Sequence, residues 1–244
     1  MDNDQILREI GLTPIWKLRK QSQQPVIAAT QPTAKVPGVE SPMQPLTPSP
    51  SEATAVAGMD WDQLTTAIAN CRQCRLGETR KQAVPGVGDR QADWLFVGEG
   101  PGADEDERGE PFVGQAGKLL DNMLAAIDLR RGENVYIANT VKCRPPNNRT
   151  PEAEETAACF PYLQRQIALL QPKLLVALGK PAAQVLLNAE VKVGEARGKR
   201  HIHEGISLIV TYHPAYLLRN LPEKAKSWDD LLFMKHTMAT LQDE

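Results

Sequence analysis

Apolar residues along this chain alternate between short continuous runs and helical spacings, the pattern of a mixed α/β domain. The runs are short and rich in branched and aromatic side chains, and they predict four buried strands, at residues 94–97, 134–138, 174–178 and 207–211. The helical spacings predict helices at residues 61–69, 115–128, 151–170, 180–187 and 223–241. Strands that alternate with helices pair in parallel. We therefore predict an α/β three-layer sandwich, in which helices cover both faces of a central, mostly parallel four-stranded sheet.

The chain before residue 59 differs in composition from the rest. Residues 1–20 carry apolar side chains in the spacing of a short amphipathic helix, which is too short to fold alone and needs a surface to cover. Residues 21–58 are rich in Pro, Ser, Thr and Ala, which predicts a disordered linker with a reach of about 35 Å as a flexible coil. We expect a partner-binding peptide at 1–20, this linker, and one folded domain at 59–244. A tail that packs back on its own domain is the alternative.

The composition is typical of a soluble globular protein, with 41% hydrophobic and 24% charged residues in a chain of 244. The formal net charge of −2 argues against a uniformly basic nucleic-acid coat but is compatible with a local basic face. The sequence contains no signal-peptide pattern and no apolar run long enough to cross a bilayer, so we expect no membrane partner and a cytoplasmic location. In that reducing compartment, cysteines serve as metal ligands, catalytic groups or buried thiols more often than as disulfides.

The four cysteines form one candidate metal site. Cys71 and Cys74 have the C-x-x-C spacing at the start of the domain, whereas Cys143 and Cys159 lie in its middle. A site with four thiolates would use each cysteine once and would join segments that are far apart in sequence. The spacing suits an iron–sulfur cluster or a structural zinc ion, and unligated buried thiols are the third possibility.

A glycine-rich loop follows the first predicted strand. Its sequence, GEGPG, includes Glu99 and Gly100 and lies at the carboxyl end of the strand, the edge where ligands bind in open α/β sheets. The loop lacks the third glycine of a dinucleotide-binding fingerprint, and residues 114–118 lack the spacing of a phosphate loop. Phe112 lies on the loop before the next helix, where its ring can stack on a flat ligand or close the core.

Two further loops are predicted to meet the same edge of the sheet. Asn139 follows the second strand, and its amide offers a donor and an acceptor, the pair that reads the O4 and N3–H edge of a uracil. A turn residue is the alternative for Asn139. His213 precedes Pro214, so it is predicted to cap a helix whose positive end favours a neutral imidazole that donates one hydrogen bond. A cap without a further role is the alternative for His213.

The segment after His213 carries side chains suited to contact DNA. Tyr216, Leu217 and Leu218 are predicted to be exposed and to form an apolar wedge for a base stack, with Arg219 available to a phosphate; leucines in the core are the alternative. Basic loops could surround the same edge, and a solvated surface is their alternative. Their basic residues are Lys142, Arg144, Arg149, Arg197, Lys199, Arg200, His201 and His203.

Together, these motifs resemble the family-four uracil-DNA glycosylases, the iron–sulfur branch of their superfamily. The resemblance covers residues 61–241 and rests on the four cysteines, on GEGPG with PFVG, on NTVKCRPPNNRTP and on HPAYLLR. It implies an enzyme that excises uracil from DNA by hydrolysing the N-glycosidic bond, and it favours a [4Fe–4S] cluster over zinc. The implied cluster ligands are Cys71, Cys74, Cys143 and Cys159.

The resemblance also implies roles for the loop residues. Phe112 would stack on the flipped uracil, Asn139 would read its edge, and His213 would stabilise its O2. Glu99 and Gly100 would belong to the water-activating loop. Better-known relatives carry an aspartate at the position of Gly100, so Glu99 is the candidate for the water-activating group. The implied DNA-contacting residues are Tyr216, Leu217 and Arg219.

The first twenty residues lie outside this resemblance. Residues 7–19 resemble the N-terminal peptide of the psi subunit of the bacterial replicative polymerase, which attaches psi to the clamp loader. This implies a glycosylase tethered to the replisome through residues 1–20. The alternative is a psi-like clamp-loader subunit on a glycosylase scaffold, with catalysis secondary or lost. A zinc-stabilised nucleic-acid-binding module without chemistry is a third possibility.

Overall fold

The structure, a computed structural model, describes residues 56–243, and among these residues one sheet of six strands forms the centre of the fold. The strands are β1 (Val87–Gly88), β2 (Trp94–Gly98), β3 (Val135–Asn139), β4 (Leu174–Leu178), β5 (Arg200–His203) and β6 (Ile206–Thr211). Their order across the sheet is β1-β3-β2-β4-β6-β5. The inner strands β3, β2, β4 and β6 pair in parallel, and the edge strands β1 and β5 are antiparallel. The predicted parallel core of four strands is confirmed.

Helices connect the strands, and local sequence explains where several of them begin. Asp60 caps the first helix because its carboxylate accepts hydrogen bonds from the backbone N–H groups of Asp62 and Gln63, at 3.0 and 2.9 Å. No helix within residues 56–243 is long and apolar enough to cross a membrane. The helices are α1 (Trp61–Asn70), α2 (Leu76–Thr79), α3 (Ala103–Arg108), α4 (Gln115–Ala125), α5 (Ala153–Leu170), α6 (Lys180–Leu187), α7 (Val193–Ala196), α8 (Pro214–Arg219) and α9 (Glu223–Asp243). A short 3-10 helix spans Pro146–Asn148.

Each face of the sheet is covered by a different set of helices. Alternate strand residues point to opposite faces, so Leu95 and Val97 pack against α5 and α6, whereas Phe96 packs against α4 and α9. The central strands are buried along their whole length, which is why they read as continuous apolar runs in the sequence. The predicted three-layer arrangement is therefore confirmed.

The apolar residues on the two faces of the sheet form two clusters, and a third apolar cluster joins the start of the domain to the loop after β3. Leu64 and Ile68 of α1 and Leu76 of α2 pack there with Val141, and the four cysteines lie in or against the same cluster. Val56 is also buried in it, although this residue lies in the predicted linker. The predicted peptide at 1–20 and the rest of the predicted linker lie outside the described residues.

The edge strands and some helix ends differ from the prediction. β1 is only two residues long, and β5 has the sequence RHIH, so neither has the apolar run that predicts a strand. The helix predicted at 115–128 ends at Ala125, and Asp128 has a left-handed φ of 63° that a helix cannot accommodate. The helix predicted at 151–170 begins at Ala153, after Pro151.

Candidate active site

The loops that follow the four parallel strands meet at one cavity of about 660 Å³. The loops lie at the carboxyl edge of the sheet, where the sequence predicts the site. Most of the predicted site residues contribute to the wall, including those from GEGPG, from the end of β3 and from the start of α8. The lining residues among them are Glu99, Gly100, Phe112, Asn139, His213, Tyr216 and Arg219.

Asn139 ends β3 and presents a buried, unpaired acceptor to this cavity. The residue is 2% exposed, and its Oδ1 has no hydrogen-bond partner among residues 56–243. A Cβ added at Gly98, its neighbour on β2, would lie 2.4 Å from this Oδ1 and 2.6 Å from Cζ of Phe112. Glycine at position 98 therefore leaves space between the amide and the ring. An unpaired buried acceptor destabilises a protein unless a ligand supplies a donor.

Phe112 forms part of the cavity wall with an unusual backbone conformation. Its φ is 55°, in the left-handed region that an aromatic residue rarely adopts. The ring centroid lies 5.4 Å from that of His213, with 30° between the two planes. Phe112 also packs in the apolar cluster on one face of the sheet. The ring therefore closes the core and lines the cavity, so the two alternatives from the sequence are compatible.

His213 caps α8, as the sequence predicts. Its Nδ1 accepts a 3.1 Å hydrogen bond from the backbone N–H of Ala215, so a neutral imidazole carries its proton on Nε2. The pKa of His213 is lowered to about 4, mainly by burial and in smaller part by the positive charge of Arg219, while the negative charge of Glu105 opposes the shift. The predicted neutral donor is consistent with this geometry, and burial is the main cause of the lowered pKa.

The backbone of Glu99 is held in place by the two residues that follow β3. Its backbone carbonyl accepts hydrogen bonds from the backbone N–H of Val141, at 3.2 Å, and from Oγ1 of Thr140, at 2.5 Å. Burial raises the pKa of its carboxyl group, and a hydrogen bond with Thr150 offsets part of this rise. A Cβ at Gly100 would lie 2.8 Å from Cγ2 of Val141, so a carboxylate at position 100 would require Val141 to move.

Glu105 connects two of the loops, and the sequence interpretation missed it. Its Oε1 accepts hydrogen bonds from the backbone N–H groups of Val113, at 2.9 Å, and Gly114, at 3.1 Å. Its Oε2 accepts another from the backbone N–H of Gly102, at 3.1 Å. The carboxylate thus joins GEGPG to the loop that carries Phe112. The G-x-x-E spacing from Gly102 is that of a helix-capping glutamate, a signal that could have identified Glu105.

The predicted apolar wedge is only partly exposed, and the prediction for Leu217 is wrong. Leu217 is 1% exposed and packs in the core, because it lies on the same face of α8 as the buried Pro214, three residues before it. Tyr216 and Leu218 are 37% and 42% exposed on the other side of the helix. The sequence interpretation also missed Tyr212, which lines the cavity and stacks on Tyr216 with ring centroids 5.2 Å apart.

The predicted basic loops converge on the cavity only in part. Among the basic residues predicted for these loops, Arg149 lines the cavity. Lys142 and His203 are buried, at 1% and 7% exposure, so their prediction as surface charges is wrong. Burial lowers the pKa of Lys142 to about 8, and its Nζ donates a 2.7 Å hydrogen bond to the backbone carbonyl of Asn139. Lys142 follows β3 and His203 ends β5, and both side chains turn into the protein, which residue spacing does not reveal.

The four cysteines line a second, small cavity beside the third apolar cluster. Burial, with a smaller contribution from negative charge on the neighbouring cysteines, raises the pKa of Cys74, of Cys143 and of Cys159, the last to about 12. Arg80 donates from Nη1 to Sγ of Cys143 at 2.7 Å, and the backbone N–H of Lys142 donates to Sγ of Cys159 at 3.2 Å. Donors of this kind stabilise metal-bound thiolates.

The chemistry of these cysteines fits a group with four sulfur ligands. Thiols that raise one another's pKa become thiolates when a cationic centre binds them. Within the described part of the chain, no group of three or more His, Cys, Asp or Glu side chains is arranged to hold a metal ion. The evidence that these cysteines suit a group with four sulfur ligands is therefore the cavity that they share and the hydrogen bonds donated to the sulfur atoms.

The chain is similar to uracil-DNA glycosylases. The family model for the uracil DNA glycosylase superfamily matches residues 85–232, a range that contains all the loops of the large cavity. A type-4 uracil-DNA glycosylase of Pyrobaculum aerophilum is 46% identical over 182 residues, which cover 71% of this chain and 92% of the relative. The corresponding protein of Archaeoglobus fulgidus is 47% identical, over 64% of this chain and 82% of the relative. The type-4 uracil-DNA glycosylase of Thermotoga maritima is 46% identical, over 63% of this chain and 80% of the relative.

Proposed function

This chain belongs to the type-4 uracil-DNA glycosylases, and we propose that it excises uracil from DNA as a step of DNA repair. The reaction is hydrolysis of the bond between N1 of uracil and C1′ of deoxyribose. Water adds to C1′, and the bonding electron pair leaves with the base. The observation that carries the proposal is the buried, unpaired Oδ1 of Asn139 in a cavity whose wall also contains Phe112 and His213.

Asn139 selects the base by pairing with N3 of uracil. Uracil has an N3–H group that can donate to the unpaired Oδ1, and the amide nitrogen can then donate to O4. Cytosine presents an acceptor at N3 and a donor at C4, so both contacts would be repulsive. The ring of Phe112 provides the flat surface on which the flipped base stacks.

His213 stabilises the leaving group. As the bond to C1′ breaks, negative charge develops on the uracil ring and its O2. The neutral imidazole donates from Nε2 to this oxygen, because Nδ1 is occupied by the backbone N–H of Ala215. A donor fixed in place before the reaction needs no reorganisation as charge develops, which is the basis of such electrostatic catalysis.

Glu99 accepts a proton from the attacking water. Burial raises the pKa of its carboxyl group, which makes its ionised form a stronger base than an exposed glutamate. No carboxylate is available at Gly100. Outside the cavity, Tyr216 and Leu218 are exposed on α8 and would enter the base stack, while Arg219 would contact a phosphate.

The four cysteines are proposed to bind a [4Fe–4S] cluster. When bound, the cluster would supply iron–thiolate bonds that join the start of the domain to the loop after β3 and to α5. Support comes from the small cavity that they share and from the donation of Arg80 to Cys143. Broad absorbance in the visible range, lost in Cys143→Ser together with a lower melting temperature, supports this assignment. A colourless protein with stoichiometric zinc overturns it.

The test of the activity is incubation of anaerobically purified protein with DNA that carries a single uracil, both single- and double-stranded. Alkali then cleaves the strand wherever the base has been removed. We expect cleavage only at uracil, and none in a matched strand that carries cytosine. A folded protein that contains the cluster and leaves both strands intact would contradict the proposal and would favour a binding module without chemistry.

Residues 1–20 are proposed to tether the enzyme to the clamp loader of a bacterial replisome. The support is the sequence likeness of residues 7–19 to the psi peptide, and these residues lie outside the described part of the chain. Capture of clamp loader by a peptide of residues 1–20, lost on Trp16→Ala, supports the tether. Absence of binding at micromolar concentration contradicts both the tether and the clamp-loader alternative. The cytoplasmic location stays a prediction.

A further inference from the structure

Arg131 lies outside the cavity and binds the backbone of the loop that carries Phe112. Its Nη1 donates a 2.7 Å hydrogen bond to the carbonyl of Pro111, and its Nη2 donates one of 2.8 Å to the carbonyl of Phe112. The planar guanidinium group thus binds two successive carbonyl oxygens with two of its nitrogens. Asp121 on α4 orients it, because Oδ1 accepts from Nε at 3.0 Å and from Nη2 at 2.9 Å.

Two other features leave the Phe112 carbonyl little freedom. A Cβ added at Gly117 would lie 1.7 Å from this oxygen, so the carbonyl is pressed against the backbone of α4. The left-handed φ of 55° at Phe112 is unfavourable for an aromatic residue and persists only where the surroundings enforce it. Arg131 restrains the peptide group between Phe112 and Val113 through its carbonyl, and Glu105 restrains the same group through its N–H.

We propose that Arg131 is a positioning residue for base binding, which sets the ring of Phe112 through the backbone carbonyls of Pro111 and Phe112. This inference rests on the proposed function, because it concerns the surface on which uracil stacks. Arg131 is not among the residues that line the cavity, so it acts through Phe112. Without its hydrogen bonds, the loop would relax from the left-handed conformation, and the ring would leave its place beside His213.

The neighbouring Arg130 provides a matched control. It carries the same charge, but its side chain is 77% exposed and pairs at the surface with Glu133, at 3.0 Å. Arg130→Met and Arg131→Met therefore remove the same charge from adjacent positions, and only the second removes the contacts to Pro111 and Phe112. Arg131→Lys keeps the charge but cannot bind both carbonyls with a planar group.

The test is a double-mutant cycle on the excision of uracil from single-stranded DNA by the full chain. Base stacking on an aromatic side chain predicts that Arg131→Met raises KM by about tenfold and leaves kcat within about threefold. Phe112→Leu should do the same, and the double variant should be no worse than Phe112→Leu alone, because both changes remove the same interaction. Arg131→Lys should fall between wild type and Arg131→Met, and Arg130→Met should match wild type.

Independent, multiplicative effects of Arg131→Met and Phe112→Leu would overturn the inference, and so would an unchanged KM in Arg131→Met. If Arg131→Met does not fold, the same cycle is run with Arg131→Lys, and the same outcomes decide. An active wild-type enzyme with multiplicative effects overturns only the role of Arg131. A folded wild-type enzyme that releases no uracil overturns the proposed function and this inference with it.

Discussion

Nδ1 of His213 accepts a 3.1 Å hydrogen bond from the backbone N–H of Ala215, two residues further along the start of α8. This bond places the proton of the neutral imidazole on Nε2. Because burial lowers the pKa of His213 to about 4, the ring stays neutral from about pH 5 upward. The enzyme therefore carries a hydrogen-bond donor whose state does not change over the physiological pH range.

Replacement of this donor should slow the chemical step. We expect His213→Ala to lower the single-turnover rate of uracil excision by about two to three orders of magnitude, as for other donors to a developing oxyanion. His236→Ala is the control, because that histidine is exposed on α9. An unchanged rate in His213→Ala would exclude the proposed role.

The pH profile of the wild-type enzyme should report Glu99. The rate should fall as the pH decreases through the raised pKa of this carboxyl group, because its protonated form cannot accept a proton from water. His213 should not contribute above about pH 5, since it is already neutral there. Glu99→Gln should be slower and should lose this acidic limb. If the rate of Glu99→Gln still falls as the pH decreases, a group other than Glu99 causes the fall.

Gly98→Ala should fill the space for the base between Asn139 and Phe112. The added Cβ would lie 2.4 Å from Oδ1 of Asn139, and the displaced side chains would occupy the space left for the base. We expect uracil excision to fall by tenfold or more, with a loss of stability of about 1–3 kcal/mol from overpacking. Gly58→Ala is the control, because a Cβ there meets no atom within 4 Å. Wild-type excision by Gly98→Ala would place the base elsewhere.

Substitutions of Leu217 and Leu218 should have different effects, the first on stability and the second on DNA binding. Leu217→Ala removes a core side chain and should cost about 2–5 kcal/mol of the free energy of unfolding. Leu218→Ala should change stability by less than about 0.5 kcal/mol, because the side chain is exposed. It should nevertheless slow excision from duplex DNA more than from single strands, because only a duplex requires the base stack to be opened. Equal slowing on both substrates would argue against a wedge.

The parallel core of the fold is predictable because its strands are buried on both faces. The run at residues 174–178 is apolar throughout, and such a run tolerates few other structures. The edge strands are not predictable in this way. β5 has the mostly polar sequence RHIH at the sheet edge, and β1 forms only because Val87 and Gly88 pair with Ile137 and Tyr136, about fifty residues away in the chain.

The site is predictable where position along a strand determines the direction of a loop. Asn139 ends β3 and His213 follows β6, so the order of elements alone brings them to one edge. Leu217 is not predictable, because which face of a six-residue helix is buried depends on the packing around it. The same holds for Arg131, whose two carbonyl acceptors lie 19 and 20 residues before it.

The central claim is that Oδ1 of Asn139 accepts the N3–H of uracil, and one substrate analogue tests it directly. Single-turnover excision is measured on two oligonucleotides that differ only by a methyl group on N3 of the uracil. Because the methyl group removes the donor of a buried hydrogen bond, we expect the wild-type rate to fall by about ten- to hundredfold on the methylated base. Asn139→Ala should excise both bases at similar, low rates. Equal rates of the wild-type enzyme on the two substrates would contradict the account.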